Sequence, residues 1–184
     1  MLPAHVTLKV RADVPSLRTV PIVREIERTF AAGCARTGFR LVHYSLQDNH
    51  AHLLVEARDR DALGRGMKAI AARLARAVNR VAGRHGPVLK DRYHHRLLPT
   101  PREVHHALRY VLLNAQRHSQ RSRSARTATL DPTSSGRWFD GWKRGSTSSD
   151  VAPDEQPAVA RARTWLLSIG WRRYGLLDPV YASG

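Results

Sequence analysis

Apolar and polar positions change period several times along this chain, and each change marks a new element. Over residues 4–11 they alternate, with Val6, Leu8 and Val10 on one side and His5, Thr7, Lys9 and Arg11 on the other. That is the period of a half-buried strand. From 17 to 36 the spacing lengthens to three and four, putting Val23, Ile26, Phe30 and Cys34 on one helical face, and Gly38 closes the helix. Strands follow at 39–46 and 51–56, with Asp48-Asn49 as the turn between them. The most regular stretch comes next. Leu63, Met67, Ile70, Leu74, Val78 and Val81 form the seam of an amphipathic helix, with Arg65, Lys68, Arg73, Arg76 and Arg80 off it. Gly83 and Gly86-Pro87 end that helix, 88–99 reads as a fourth strand, and a last helix runs over 101–118.

The order β-α-β-β-α-β-α predicts an α+β fold: a ferredoxin-like sandwich, an antiparallel sheet with helices on one face, plus an extra helix. Residues 1–120 make up this domain, and 121–136 read as a basic Ser/Arg-rich linker. Residues 137–184 hold all four tryptophans, and their clearest element is a helix over 157–169. With few other apolar residues, this small helical tail is expected to dock on the main domain rather than fold alone.

Charge narrows the function classes. Lys and Arg number 31 against 15 Asp and Glu, a formal net charge of +16 on 184 residues. Most of the cations are arginine, which suits bidentate phosphate contacts, so the expected partner is nucleic acid ahead of an anionic membrane. Cys34 is the single cysteine, so no internal disulfide exists, and its place on an apolar stripe makes it a core residue. No apolar run approaches membrane-spanning length and no signal pattern opens the chain, so a cytoplasmic protein is expected.

The candidate chemistry sits in Asn49-His50-Ala51-His52-Leu53-Leu54. Alternation in a strand aims His50 and His52 the same way, about 6–7 Å apart at their Cα atoms, which suits two nitrogens converging on one divalent ion. Two ligands hold a metal poorly, so a third group is required. On the helix over 101–118, Val104, Leu108, Val111, Leu112 and Ala115 form the apolar face, whereas His106, Tyr110 and Asn114 form a separate stripe. Tyr110 therefore faces solvent or a cleft. A free tyrosine is only about 0.1% ionised at neutral pH, but it becomes a nucleophile when cations stabilise the phenolate and a metal polarises a phosphate. Asn114, one turn on, is positioned to offer an amide oxygen as the third ligand. Tyr93, in Asp91-Arg92-Tyr93-His94-His95, is the rival nucleophile, and Tyr44 sits among strand apolar residues. The other histidines match no zinc spacing and read as surface or phosphate-facing. Asp48 and Glu56 flank the His strand and read as turn and surface groups, with a supporting role behind the His pair as the alternative. Arg73, Arg76, Arg80, Arg92, Arg117, Arg121 and Arg123 are the candidate phosphate contacts, with stacking available from the tail tryptophans.

Two motifs carry a family resemblance. Asn49-His50-Ala51-His52-Leu53-Leu54 is similar to N-H-x-H-L-L, and Tyr110-Val111-Leu112-Leu113-Asn114 is similar to Y-I-x-x-N. In this order, with the basic-aromatic Asp91-Arg92-Tyr93-His94 between them, the chain over about 3–120 resembles the REP-associated tyrosine transposases of the HUH superfamily, with an insertion-sequence-200-like domain. The resemblance implies a metal-dependent single-stranded DNA endonuclease and strand transferase. His50 and His52 would bind Mg²⁺ or Mn²⁺, with Asn114 completing the site. Tyr110 would attack a DNA phosphodiester, often beside a hairpin or palindromic repeat, to give a 5′-phosphotyrosine and a free 3′-hydroxyl. Two positions depart from the pattern: Asp48 stands where a proline often precedes the Asn-His pair, and Ala115 where a proline often follows the helix asparagine. The latter lets the helix run on another turn. The alternative reading is a non-catalytic single-stranded nucleic-acid-binding protein on the same scaffold, as monomer or homodimer. If dimeric, Tyr110 serves either its own His pair or its partner's.

Overall fold

Alternation along one central strand sorts the molecule into layers. The computed structural model describes residues 2–118, 130–144 and 155–179, with the backbone alone for 114–118. In chain order it contains β1 (Leu2–Lys9), α1 (Val20–Ala31), β2 (Ala35–Arg36), β3 (Phe39–Leu46), β4 (His50–Ala57), α2 (Arg60–Val81), β5 (His94–Leu97), α3 (Pro101–His118) and α4 (Trp165–Ser168). The five strands form one antiparallel sheet in the order β2-β3-β4-β1-β5, the ferredoxin-like arrangement with a short edge strand added. In β4, Ala51, Leu53 and Val55 point to one face and His50, His52, Leu54 and Glu56 to the other.

The first face joins Val6, Leu8, Leu41 and Tyr44 to α1 through Ile26 and Phe30 and to α2 through Met67, Ile70 and Leu74. Helix α2 starts at Asp59, whose carboxylate accepts from the Ala62 amide at 2.7 Å. It rides so close on β3 that a Cβ at Gly66 would fall 2.1 Å from the Phe39 ring. The second face joins Val42 and Leu54 to Val104, Leu108, Val111 and Leu112 of α3, and to Phe139, Leu167, Trp171 and Leu177 of the tail. The helix bearing Tyr110 thus covers the face opposite α1 and α2, and the sheet is the middle of three layers.

Three elements differ from the sequence pattern. Helix α1 ends at Ala31 rather than 36, because the Arg73 guanidinium crosses Gly33 and donates to the carbonyls of Thr29 and Ala32, capping the last turn. The strand expected over 88–99 shortens to β5, preceded by one bridge between Val10 and Leu89. The helix expected over 157–169 shortens to α4. Residues 155–164 instead pass round the sheet edge, with Ala158 buried on the α1–α2 side, the Ala160 amide donating to Leu41 O, and Ala162 packed on the α3 side.

Residues 130–136, read from sequence as the end of the linker, lie along the outer edge of β3. Thr133 O accepts from the Leu46 amide, Ser135 Oγ accepts from the Tyr44 amide, and Thr133, Ser134 and Ser135 are buried. An open strand edge is thereby closed by chain from the tail. No helix among the described residues is long and apolar enough to cross a membrane.

Candidate functional site

The site grows out of strand register on the α3 face. Thr7 of β1 lies opposite His52 of β4, His5 opposite Leu54, and Lys9 opposite His50, so all these β1 side chains share a face with the His pair. Across β1, His94 lies opposite Thr7 and Arg96 opposite His5. Helix α3 then lays Tyr110 over this polar patch.

His50 Nε2 and His52 Nε2 stand 3.0 Å apart, and the Tyr110 hydroxyl is 3.3 Å from His52 Nε2. The Tyr110 ring meets His52 edge-on with centroids 4.9 Å apart, and meets His5 at 5.6 Å. Three further contacts orient the imidazoles. His50 Nδ1 donates to Asn49 Oδ1 at 2.7 Å, which leaves the His50 Nε2 lone pair facing His52. His52 Nδ1 is within reach of His5 Nε2 at 3.2 Å and Thr7 Oγ1 at 3.3 Å. When either accepts its proton, His52 Nε2 also presents a lone pair to the gap. Burial, and then the neighbouring His5 and His50, lowers the His52 pKa to about 3, so its ring is neutral at pH 7. Burial, with Arg96 nearby, lowers His5 as well.

The structure brings His50, His52 and Tyr110 together within one chain. Asn114 lies one turn beyond Tyr110 on α3, with its side chain outside the described set. Among the described residues no group of three or more His, Cys, Asp or Glu converges to hold a metal. Both rival tyrosines lie elsewhere. Tyr44 is buried and donates to Glu27 Oε1, and Tyr93 packs against the α1–α2 core.

The arginines divide by layer. Arg73 and Arg80 belong to α2, behind the sheet, where Arg73 caps α1 and Arg80 pairs with Glu25 at 2.7 Å. Arg76 is exposed on the same helix, so none of these three borders Tyr110. Arg92 is exposed in the loop before β5. Of Arg117 only the backbone is described, and Arg121 and Arg123 lie outside the described residues.

Two histidines depart from the surface role expected of them. His5 lies in the site, and His43 is buried against Phe139 with Nδ1 3.2 Å from Ser135 Oγ. Strand alternation together with the ferredoxin-like strand order would have located His5 beside His52. Asp48 keeps the turn role, accepting from Ser16 Oγ at 2.6 Å. Glu56 is fully buried instead of exposed, and its carboxylate accepts from the amides of Arg163 and Thr164 and from Thr164 Oγ.

No protein-family model and no curated protein sequence matches this chain. Among solved structures, its fold is similar to that of a REP-associated tyrosine transposase bound to a REP hairpin. The TM-score is 0.57 at 15% identity, over 89% of this chain and 93% of that one. At that identity the fold is what the two share. A weaker likeness is to a Deinococcus radiodurans protein described as a transposase, with a TM-score of 0.44 at 16% identity over 53% of this chain and 78% of that one.

Proposed function

We propose that this protein is a metal-dependent single-stranded DNA endonuclease and strand transferase of transposase type, with Tyr110 as its nucleophile. One observation carries the reading: the hydroxyl of Tyr110, 58 residues along the chain from His52, lies 3.3 Å from His52 Nε2, which itself lies 3.0 Å from His50 Nε2 on a polar sheet face. The likeness in fold to a transposase bound to a REP hairpin makes hairpin-bearing single strands the first substrates to try.

The residues present fit a divalent cation. The Nε2 atoms of His50 and His52 stand 3.0 Å apart, close enough for both to ligate one ion. His50 Nδ1 donates to Asn49, which leaves its Nε2 unprotonated, and His52 Nε2 is unprotonated as well when His5 or Thr7 accepts from its Nδ1. His50 and His52 would hold Mg²⁺ or Mn²⁺, with Asn114 as the third protein ligand. The ion would supply positive charge to a non-bridging phosphate oxygen.

The chain does the rest. Helix α3 holds Tyr110 over the patch with the residue 37% exposed, so one side of the ring rests on His5 and His52 while the other is open to a strand. Attack forms the phenol O–P bond and breaks the P–O3′ bond. The 3′ oxygen leaves with the electron pair and takes up the proton that the phenol loses. The 5′-phosphotyrosine keeps the energy of the phosphodiester, so a 3′-hydroxyl can reverse the step without a nucleotide cofactor.

The test is incubation with labelled hairpin-bearing single strands and Mn²⁺, followed by a denaturing gel. The native protein should give a covalent adduct, and Tyr110→Phe should bind the strand without one. An adduct that persists in Tyr110→Phe removes Tyr110 from the chemistry. Binding with no adduct from the native protein leaves a single-strand binding protein on this scaffold.

A further inference from the structure

Helix α3 and the tail pack chiefly over β3 and β4 of the face that holds the site. Over the β1–β5 half Tyr110 rests on His5 and Glu103 pairs with Arg96 at 2.6 Å, while Lys9 and β5 stay exposed. The floor of that half is polar: His5, Thr7 and Lys9 from β1, His94 and Arg96 from β5, with every residue of β5 exposed. At the end nearest His50 the floor opens into a cleft of about 720 Å³, lined by Lys9, Arg11, Asp13, Asn49, His50 and Lys90.

Register explains why the cations gather there. Lys9 is the direct cross-strand partner of His50, and the Lys90 amide donates to Lys9 O, which brings a second ammonium group to the same end of the sheet. Asp13, the carboxylate in the cleft, is held by Arg11 at 3.0 Å and Arg84 at 2.8 Å. Among the described residues neither Lys9 nor Lys90 meets a carboxylate.

We infer that this half-face is the track of the DNA strand leaving the reaction centre, and that Lys9 and Lys90 seat its phosphates in the cleft. The inference rests on the function proposed above and names where its substrate lies. A phosphate placed between Tyr110 and the His pair has α3 and the tail on one side. On that flank the chain has no room, so the backbone departs across Thr7 and Lys9 toward the cleft. Two lysines without a carboxylate partner among the described residues, beside an exposed polar strip, are complementary to a polyanion and poorly suited to an apolar protein partner.

The experiment measures the salt dependence of binding to a labelled oligothymidylate, in a Tyr110→Phe background so that no chemistry intervenes. Each single-strand phosphate contact contributes about 0.7 to the slope of log affinity against log salt. Lys9→Ala with Lys90→Ala should therefore lower that slope by about 1.4, and Lys9→Glu with Lys90→Glu should weaken binding further. Both lysines are exposed, so the thermal midpoint should stay unchanged. Arg76→Ala, on the other side of the sheet, should leave the slope unchanged. An unchanged slope in the lysine variants, or an equal fall in Arg76→Ala, overturns the inference. The two readings fail separately: a lowered slope in a protein that never forms an adduct keeps the track and ends the nuclease, and an adduct with an unchanged slope does the reverse.

Discussion

Two imidazole nitrogens 3.0 Å apart cannot both carry a proton and a charge at reasonable cost, since two unit charges about 4 Å apart repel by roughly 4 kcal/mol even at an effective dielectric of 20. The pair is therefore built to share a cation or a single proton, and Asn49, Thr7 and His5 decide which atoms remain as lone pairs. His43 shows the same preference for neutrality in a structural role. Burial lowers its pKa to about 3, against about 6.5 when unfolded. Because the unfolded chain takes up a proton that the folded one refuses, the stability His43 contributes is complete above pH 6.5 and falls away as pH drops toward 3. The loss is up to about 1.4 kcal/mol per pH unit. Urea unfolding at pH 7, 6 and 5 should show the gap between the native protein and His43→Gln closing with acidity. A gap constant with pH would remove His43 as the cause. The His pair and Tyr110 were legible from alternation and helical stripe. His5 was within reach only by adding the ferredoxin-like strand order to that alternation, and Asn49 was not legible, because how a turn residue is aimed has no sequence period.

Strand β4 does two jobs at its two ends. His50 and His52 occupy one end, and four residues on from His52, on the same face, Glu56 receives the Arg163 amide at 2.9 Å and the Thr164 amide and hydroxyl, both at 2.7 Å. Thr164 in turn caps α4, its hydroxyl accepting from the Leu167 amide at 3.3 Å. The tail is thus fastened to the strand that carries the site. Glu56→Gln turns an amide NH₂ toward backbone N–H donors, and the protein should lose about 1–3 kcal/mol in urea unfolding. A loss below a few tenths would mean the clamp is dispensable. This contact also explains why the expected helix over 157–169 is mostly absent. Its alanines and arginines favour a helix locally, but Ala158, Ala160 and Ala162 are small enough to thread the sheet edge. There, tertiary hydrogen bonds outweigh propensity differences of a few tenths of a kcal/mol per residue. Periodicity located α1, α2 and α3 because each buries a long apolar stripe, and it has no purchase on a segment whose fit comes from smallness.

Taken together, the three layers separate the cations by task. Behind the sheet Arg73 holds α1 to α2 and Arg80 pairs with Glu25, whereas Lys9, Lys90 and His94 lie on the open side, where Arg96 pairs with Glu103. The net charge read from composition pointed to a polyanion, and only the layering says which cations can meet one. Composition and pattern likewise made α3 amphipathic without saying which side of the sheet it covers. Placement of Tyr110 over the His pair of its own chain has a consequence for kinetics. Under the proposed chemistry, a centre held within one polypeptide needs no encounter between copies, so the yield of adduct per mole of protein should be flat as the protein is diluted under saturating DNA. A falling yield would mean that a second chain lends a group. With the proposed nucleophile on α3 and the His pair on β4 of the same chain, rejoining to a new end would be a problem of DNA folding: the strand, rather than the protein, would have to carry the incoming hydroxyl home.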